Sequence, residues 1–232
     1  MSRVLGIETS RALCSAAVVA NGATTEDTRK MERAHNEHIL ELVDGVLAAA
    51  GLAAPDLDGV AFGCGPGSFT GIRIAASVAQ AIAFGADARI LPVSSTGALA
   101  RAVLESDVRV GAGIVASIRS KRDAWYLAAF AHAGGELITH RPDCLLTADP
   151  GWPEVNDDWV LAGDRPDWWP TRGAGHSDVA VSAGLIARMG AEALAAGEGV
   201  APELGLPVYV QGDSPWKPSS ARPESRSDAS PS

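Results

Sequence analysis

Two observations in the sequence predict an α/β fold of two stacked lobes, each built on a mixed sheet. At the N-terminus, three strand-like segments are followed by a regular alternation of helix-like and strand-like segments. This pattern is typical of an antiparallel meander that is extended by parallel strands through crossover helices, the layout of an RNase H-like lobe. A three-strand meander then begins again in the second half of the chain. Two such lobes in one chain predict an actin-like (ASKHA) fold.

The first lobe is predicted over residues 1–106. Runs of apolar and β-branched residues mark its strands, and apolar residues three and four apart mark its helices. In chain order the elements are strands at Val4–Thr9, Cys14–Ala20 and 23–30, a helix at His35–Ala50, a strand at 58–63, a helix at 70–85, a strand at Arg89–Val93 and a helix at Ser95–Leu104.

The second lobe is predicted over residues 107–211 and is expected to be truncated. Beyond its meander there is only a segment rich in Trp and Pro, one strand and one alanine-rich helix. The predicted elements are strands at Val108–Ile118, Ala124–Ala131, Glu136–Arg141 and Trp159–Ala162, and a helix at about Val179–Ala196. Residues 212–232 are mostly Ser, Pro, Asp, Arg and Ala, a composition that predicts a disordered tail.

Composition and charge exclude several classes of function. The chain is 47% hydrophobic and 20% charged, as in globular proteins, and no apolar segment reaches the roughly 18 uncharged residues of a membrane span. A formal net charge of −9 opposes stable binding of nucleic acid, which needs Lys and Arg to neutralise phosphates. Glu8 stands where a signal peptide needs its apolar core, and the three cysteines show no metal or disulfide pattern. We therefore expect a cytoplasmic protein with reduced thiols and no membrane association.

The most informative segment is GCGPGSFTGIR at residues 63–73, which joins a predicted strand to a predicted helix. Its glycines and proline predict a tight turn, and such turns often bind anions because free N–H groups and the helix dipole point at the ligand. No P-loop, dinucleotide-binding or nucleophile-elbow motif fits the spacing. The alternative is a structural turn in which an arginine, at the unfavourable end of the helix dipole, is ion-paired. The candidate ligands for an anion or a nucleotide are Gly65, Gly67, Ser68, Thr70 and Arg73.

Two helices of the first lobe carry more apolar surface than one sheet can cover. In the first helix the apolar arc extends over roughly 180°, whereas a surface helix usually needs little more than about 100°. In the second helix only a stripe of Arg73, Ser77 and Gln80 is polar. Two explanations remain open: the helices cover each other within the lobe, or another subunit packs on them.

The residues that could perform chemistry form no convincing set. His35 and His38 lie three residues apart at the start of the first helix, but the sequence marks no third metal ligand. Glu8, at the end of the first strand, stands where RNase H-like and actin-like folds often place a catalytic acid. It has no obvious acidic mate, and a lone carboxylate at such a place usually accepts hydrogen bonds from a turn. We predict no catalytic residue and no metal site.

Several segments together resemble the TsaB (YeaZ) family, bacterial factors in the threonylcarbamoyladenosine modification of tRNA. The resemblance is strong over residues 1–105 and loose afterwards. Two positions depart from the family pattern: the family usually has aspartate at Glu8, and a family segment Asp-Ala-Arg aligns with 117–119, where Ser117 replaces the acid. The segments that carry the resemblance are GPGSFTGIR at 65–73, VLGIETS at 4–10, HNEHIL at 35–40, DGVAF at 58–62 and PVSS at 92–95.

The resemblance implies a non-catalytic scaffold. In this family the subunit pairs, through the two helices of its first lobe, with a TsaD-type catalytic subunit that modifies adenosine 37 of tRNAs reading ANN codons. A TsaE-type ATPase joins the assembly, the free subunit pairs with itself, tRNA is bound only indirectly, and ATP and metal belong to the partner subunits. The partner interface that we predict on this basis consists of His35, His38, Ile39, Leu42, Val43, Val46, Ile72, Arg73, Ala76, Ala79, Gln80 and Ala83.

Two alternatives to a pure scaffold stay open. The chain could be an actin-like ATP-dependent transferase or an M22-type peptidase with its own activity. A transferase would need a nucleotide cleft and a second glycine-rich loop, for which Gly173-Ala174-Gly175 is the only weak candidate. A nucleotide could also bind at the glycine turn around Ser68, at a subunit junction, and regulate without catalysis.

Overall fold

The computed structural model describes residues 2–30, 35–121, 123–169 and 175–210. The predicted tail at 212–232 therefore lies outside the described residues. The strands are β1 (Val4–Glu8), β2 (Leu13–Ala20), β3 (Ala23–Lys30), β4 (Gly59–Gly65), β5 (Arg89–Ser94), β6 (Gly113–Lys121), β7 (Ala124–Ala133), β8 (Glu136–Leu146), β9 (Trp159–Gly163) and β10 (Gly175–Ser177). The helices are α1 (His35–Ala49), α2 (Phe69–Ala86), α3 (Ser95–Leu104) and α4 (Ala183–Ala195), with single 3₁₀ turns at Ala54–Asp56 and Pro202–Leu204.

The two five-stranded sheets have the same topology. The first has the order β3-β2-β1-β4-β5, with β1, β2 and β3 antiparallel and β1, β4 and β5 parallel. The second, read from β8 to β10, has the order β8-β7-β6-β9-β10 with the same directions. The predicted α/β fold of two lobes with mixed sheets is confirmed.

The predicted truncation of the second lobe affects its helices and not its sheet. Strand β10, which the sequence pattern missed, completes the second sheet by pairing parallel to β9. In the first lobe α1 and α2 connect β3 to β4 and β4 to β5, whereas residues 147–158, between β8 and β9, contain no helix. In the described part of the second lobe, no helix therefore lies on the outer face of the sheet.

Different elements cover the outer faces of the two sheets. In the first lobe the buried sides of α1 and α2 pack on the sheet, around residues such as Ile7 and Phe62. In the second lobe the Trp-rich segment, residues 152–169, takes their place, since its Trp159 and Trp169 are buried against Trp125 and Leu127 of β7. The Trp-rich segment thus forms a core on the outer face of the second sheet, in the place that α1 and α2 take in the first lobe.

Helices α3 and α4 lie between the lobes and join them into one core. The shared cluster contains Ala61 of β4, Leu99 of α3, Ala116 of β6 and Ile186 of α4, all fully buried. Helix α4, although predicted as part of the second lobe, contacts β1, β2 and β4 of the first. Because both lobes contribute to this core, the position of one lobe relative to the other is fixed by packing.

One described helix, α2, has the length and apolar composition of a membrane span, with a mean hydropathy of 1.3. Its buried residues include Ile72, Ala75 and Ala79, which belong to the core on the outer face of the first sheet. This is the arrangement of a helix that packs on a protein core.

Candidate functional site

A cleft with a volume of about 760 Å³ lies between the two lobes. On the first lobe it is lined by the turn after β1 (residues 10–12) and by residues 67–71, the second half of the glycine turn with the start of α2. On the second lobe it is lined by residues 118–120, Tyr126 and Asp164. The glycine turn therefore faces the position where the carboxyl ends of β1 and β6 meet.

The glycine turn packs backbone-to-backbone on the turn after β1. The Ser68 N–H donates to the Ser10 carbonyl at 2.8 Å, and Thr9 Oγ1 donates to the Gly71 carbonyl at 2.8 Å. A Cβ at Gly71 would overlap the carbonyl oxygen of Thr9, and a Cβ at Gly67 would lie 2.9 Å from Ser10 Cβ. Two of the glycines are thus explained by close packing, without an anion. Ser68 caps the start of α2, since its Oγ accepts from the Gly71 N–H at 3.3 Å.

Arg73, for which an ion pair was one of two alternatives, contacts aromatic residues in the described part of the chain. Its guanidinium carbon lies 3.6 Å from the centre of the Phe69 ring, and its Nε donates to the Tyr209 hydroxyl at 2.8 Å. A cation over an aromatic face is stabilised by the ring quadrupole. An aromatic ring and a hydroxyl, rather than a carboxylate, therefore offset the unfavourable position of Arg73 near the start of α2.

An ion pair between the lobes occupies one wall of the cleft. Arg11 Nη2 donates to Asp164 Oδ1 at 2.6 Å, and Asp164 Oδ2 accepts from the Arg119 N–H at 2.7 Å. His35 Nε2 lies 3.0 Å from the Arg11 carbonyl oxygen, so this nitrogen carries the proton. The charge of Arg11 is thus largely neutralised by Asp164, inside the chain.

Glu8 is a buried turn acceptor and does not line the cleft. Its side chain is 1% exposed, and its Oε1 accepts from the Ser10 N–H. Its Oε2 has no hydrogen-bond partner among the described residues, and burial raises the pKa of this carboxyl above its usual range. Ser117 is also buried and lies in the middle of β6, which ends at Lys121.

The two histidines at the start of α1 have separate partners. While His35 bonds to the backbone of Arg11, His38 Nδ1 lies 3.5 Å from Glu41 Oε2. No group of three His, Cys, Asp or Glu side chains in the described ranges is arranged to hold a metal ion. Of the second glycine loop considered for a nucleotide, Gly173 and Ala174 lie outside these ranges and Gly175 begins β10.

Most of the predicted partner interface is buried within the first lobe itself. The sheet covers the side of each helix that the prediction assigned to a partner. The exposed side of the same two helices therefore carries other residues. Of the predicted residues, only Arg73 is exposed, and His35, His38 and Gln80 are half-buried. The buried ones are Ile39, Leu42, Val43, Val46, Ile72, Ala76, Ala79 and Ala83.

An apolar surface nevertheless remains on these helices, which we call the α1–α2 face. A groove of about 390 Å³ between the helices is lined by Leu40, Phe69, Ile74 and Val78. Leu40 is 56% exposed, and Phe84, on the outer side of α2, is 80% exposed. The apolar arcs of both helices were visible in the sequence, but their periodicity alone did not tell which side the sheet covers.

Comparison with known proteins finds several similar chains. A family model described as "TsaD: tRNA N6-adenosine threonylcarbamoyltransferase" matches residues 23–145. The "tRNA threonylcarbamoyladenosine biosynthesis protein TsaB" of Escherichia coli K12 is 27% identical over 234 aligned positions, covering 93% of this chain and 97% of that protein. Its namesake from Haemophilus influenzae is 38% identical over 123 residues, 53% of this chain and only 51% of that protein. The solved structure "YeaZ from Pseudomonas aeruginosa" superimposes with a TM-score of 0.81 at 30% identity, covering 90% of this chain and all of that one.

Proposed function

Because the chain belongs to the TsaB (YeaZ) family, we propose that it acts in threonylcarbamoyladenosine biosynthesis as a non-catalytic partner of a TsaD-type transferase. The modified residue would be adenosine 37 of tRNAs that read ANN codons. In this role the chain stabilises the catalytic subunit, a TsaE-type ATPase joins the pair, and tRNA contacts this chain only indirectly.

The observation that carries the proposal is the α1–α2 face. Leu40 exposes a large apolar side chain in a groove that combines Phe69, Ile74 and Val78 with four polar residues of α1 and α2, and Phe84 is exposed further along α2. A contiguous apolar area on a folded chain commonly marks a protein–protein interface, because burying it away from water is favourable. The cleft, by contrast, offers an Arg11 that is already paired with Asp164, and the nearby Glu8 is buried and does not line the cleft.

We infer a TsaD-type partner because the part of the chain that contains α1 and α2 is itself similar to TsaD. The matching family model covers residues 23–145, which include both helices of the face. A TsaD-type subunit should therefore carry a comparable helix pair, and two comparable helix pairs can pack about a pseudo-twofold axis. The same geometry allows two copies of this chain to pair when the partner is absent. ATP and a metal ion would then be bound by the partner subunits.

The test is binding of the purified full chain to its TsaD-type subunit, measured by calorimetry and light scattering. Leu40→Asp places a charge in the proposed interface, and we expect it to weaken the complex at least tenfold, about 1.4 kcal/mol. Ile138→Asp is the matched control, because Ile138 is 57% exposed but lies on β8 of the other lobe. The proposal is wrong if the wild-type chain forms no complex, or if both variants bind as tightly as the wild type.

A further inference from the structure

The segment that follows α4 presents a row of large apolar side chains to solvent. We call residues 202–210 the C-terminal strap. Leu204 and Leu206 are 61% and 60% exposed, and Val208 and Tyr209 are also exposed. Of the seven exposed large apolar residues in the described part of the chain, six lie on α1, α2 or the strap, and the seventh is Ile138.

The backbone of the C-terminal strap is nevertheless fixed to the first lobe. Just before it, Val200 and Ile90 exchange both backbone hydrogen bonds at 3.0 Å. Near its end the Val208 N–H donates to the Cys64 carbonyl at 2.8 Å, and Val210, its last residue, is buried in the core between the lobes. A segment that only closed the core would point its large side chains inward. In the strap the backbone is held by hydrogen bonds, but the side chains of Leu204, Leu206, Val208 and Tyr209 are exposed.

A contact between Arg73 and Tyr209 joins the strap to α2. The Arg73 guanidinium stacks on Phe69 and donates to the Tyr209 hydroxyl, and the rings of Phe69 and Tyr209 are 5.8 Å apart. Phe69 also lines the groove between α1 and α2. The strap is thus continuous with the α1–α2 face through these three side chains.

We infer that the C-terminal strap is the second half of the surface that binds the TsaD-type subunit, with Arg73 and Tyr209 as the residues that position it. This inference rests on the proposed function. A segment that is already ordered in the free chain loses little conformational entropy when a partner covers it, so its exposed leucines add directly to affinity. Its continuity with the α1–α2 face favours the same occupant for both.

The inference is tested with Leu206→Asp in the full chain, in the same calorimetric assay with the TsaD-type subunit. We expect the dissociation constant to rise at least tenfold, with an unchanged melting temperature because Leu206 is exposed. Leu204→Asp repeats the test at the other end of the exposed row, in case one variant fails to fold. Ile138→Asp again serves as the control of equal exposure.

The outcomes separate this inference from the proposed function. If Leu206→Asp and Leu204→Asp bind as the wild type does while Leu40→Asp binds at least tenfold more weakly, the strap is not part of the interface and the proposed function stands. If the strap variants disrupt only the pairing of two copies of this chain, the inference is also overturned. If the wild type forms no complex with the TsaD-type subunit, both proposals fail.

Discussion

Arg11 and Asp164 form an ion pair that ties the two lobes together across the cleft. Arg11 follows the first strand of one lobe and Asp164 follows β9 of the other, and Arg11 Nη2 lies 2.6 Å from Asp164 Oδ1. The second carboxylate oxygen accepts from the Arg119 N–H, so Asp164 also fixes the end of β6. The side chains are 24% and 31% exposed, which leaves the pair only partly screened by water. The cleft is thus held at its present width by the chain itself.

We predict that Asp164→Ala lowers the free energy of unfolding by about 1–2 kcal/mol, because it leaves the Arg11 guanidinium and the Arg119 N–H without their acceptor. Urea unfolding of the single variants and of the double variant with Arg11→Met isolates the coupling between the two side chains. We expect a coupling of about 1 kcal/mol for this pair. The more exposed pair of Arg29 and Glu41, within the first lobe, is the comparison and should give a clearly smaller coupling, because solvent screens it. Equal coupling in the two pairs would contradict a special role for the contact between lobes.

A second prediction concerns Glu8 and the pH dependence of stability. Burial raises the pKa of Glu8 in the folded state, so the folded chain binds its proton more tightly than the unfolded chain does. Stability is therefore unaffected below the unfolded pKa and falls as the pH rises through the folded pKa. The loss is about 1.4 kcal/mol for each unit by which the pKa is raised. Glu8→Gln, which keeps the shape and removes the charge, should be more stable than the wild type at neutral pH.

The measurement for Glu8 is urea unfolding of both proteins between pH 5 and 8. The difference between variant and wild type isolates Glu8, because Asp143, whose pKa burial also raises, is present in both. We expect this difference to grow as the pH rises. A difference that stays constant over the range would show that Glu8 does not titrate in a buried site.

Much of the fold could be predicted from the sequence, because local patterns determine it. The helix predicted at His35–Ala50 is found at His35–Ala49, and the strand predicted at Arg89–Val93 is found at Arg89–Ser94. Errors arose where a partner strand, and not the local sequence, decides the structure. Strand β10 has the sequence Gly-His-Ser, which favours no strand, and it exists because β9 offers a parallel edge.

The candidate site was less predictable, because burial depends on the packing of distant elements. A helical wheel shows that Val43 and Leu40 are both apolar, but only the position of the sheet makes Val43 buried and Leu40 exposed. Similarly, the partner of Arg73 is Tyr209, 136 residues further along the chain, and no local pattern links the two. The packing of the Trp-rich segment on the second sheet likewise joins residues that are distant in the sequence, such as Trp125 and Trp169, and no local pattern predicts it.

A last prediction tests whether the glycine turn is required by packing. In Gly71→Ala the new methyl group would overlap the Thr9 carbonyl, which belongs to rigid backbone, and would strain the hydrogen bond from Thr9 Oγ1 to the carbonyl of residue 71. We expect a loss of about 2–3 kcal/mol in the free energy of unfolding. Gly85→Ala, in the same helix, is the matched control: nothing lies within 4 Å of its added Cβ, so the higher helix propensity of alanine should stabilise the chain by about 0.5–1 kcal/mol. Thermal and urea unfolding of the two variants decide the question. If Gly71→Ala is as stable as Gly85→Ala, close packing does not explain the glycine, and a ligand at the turn becomes the better explanation.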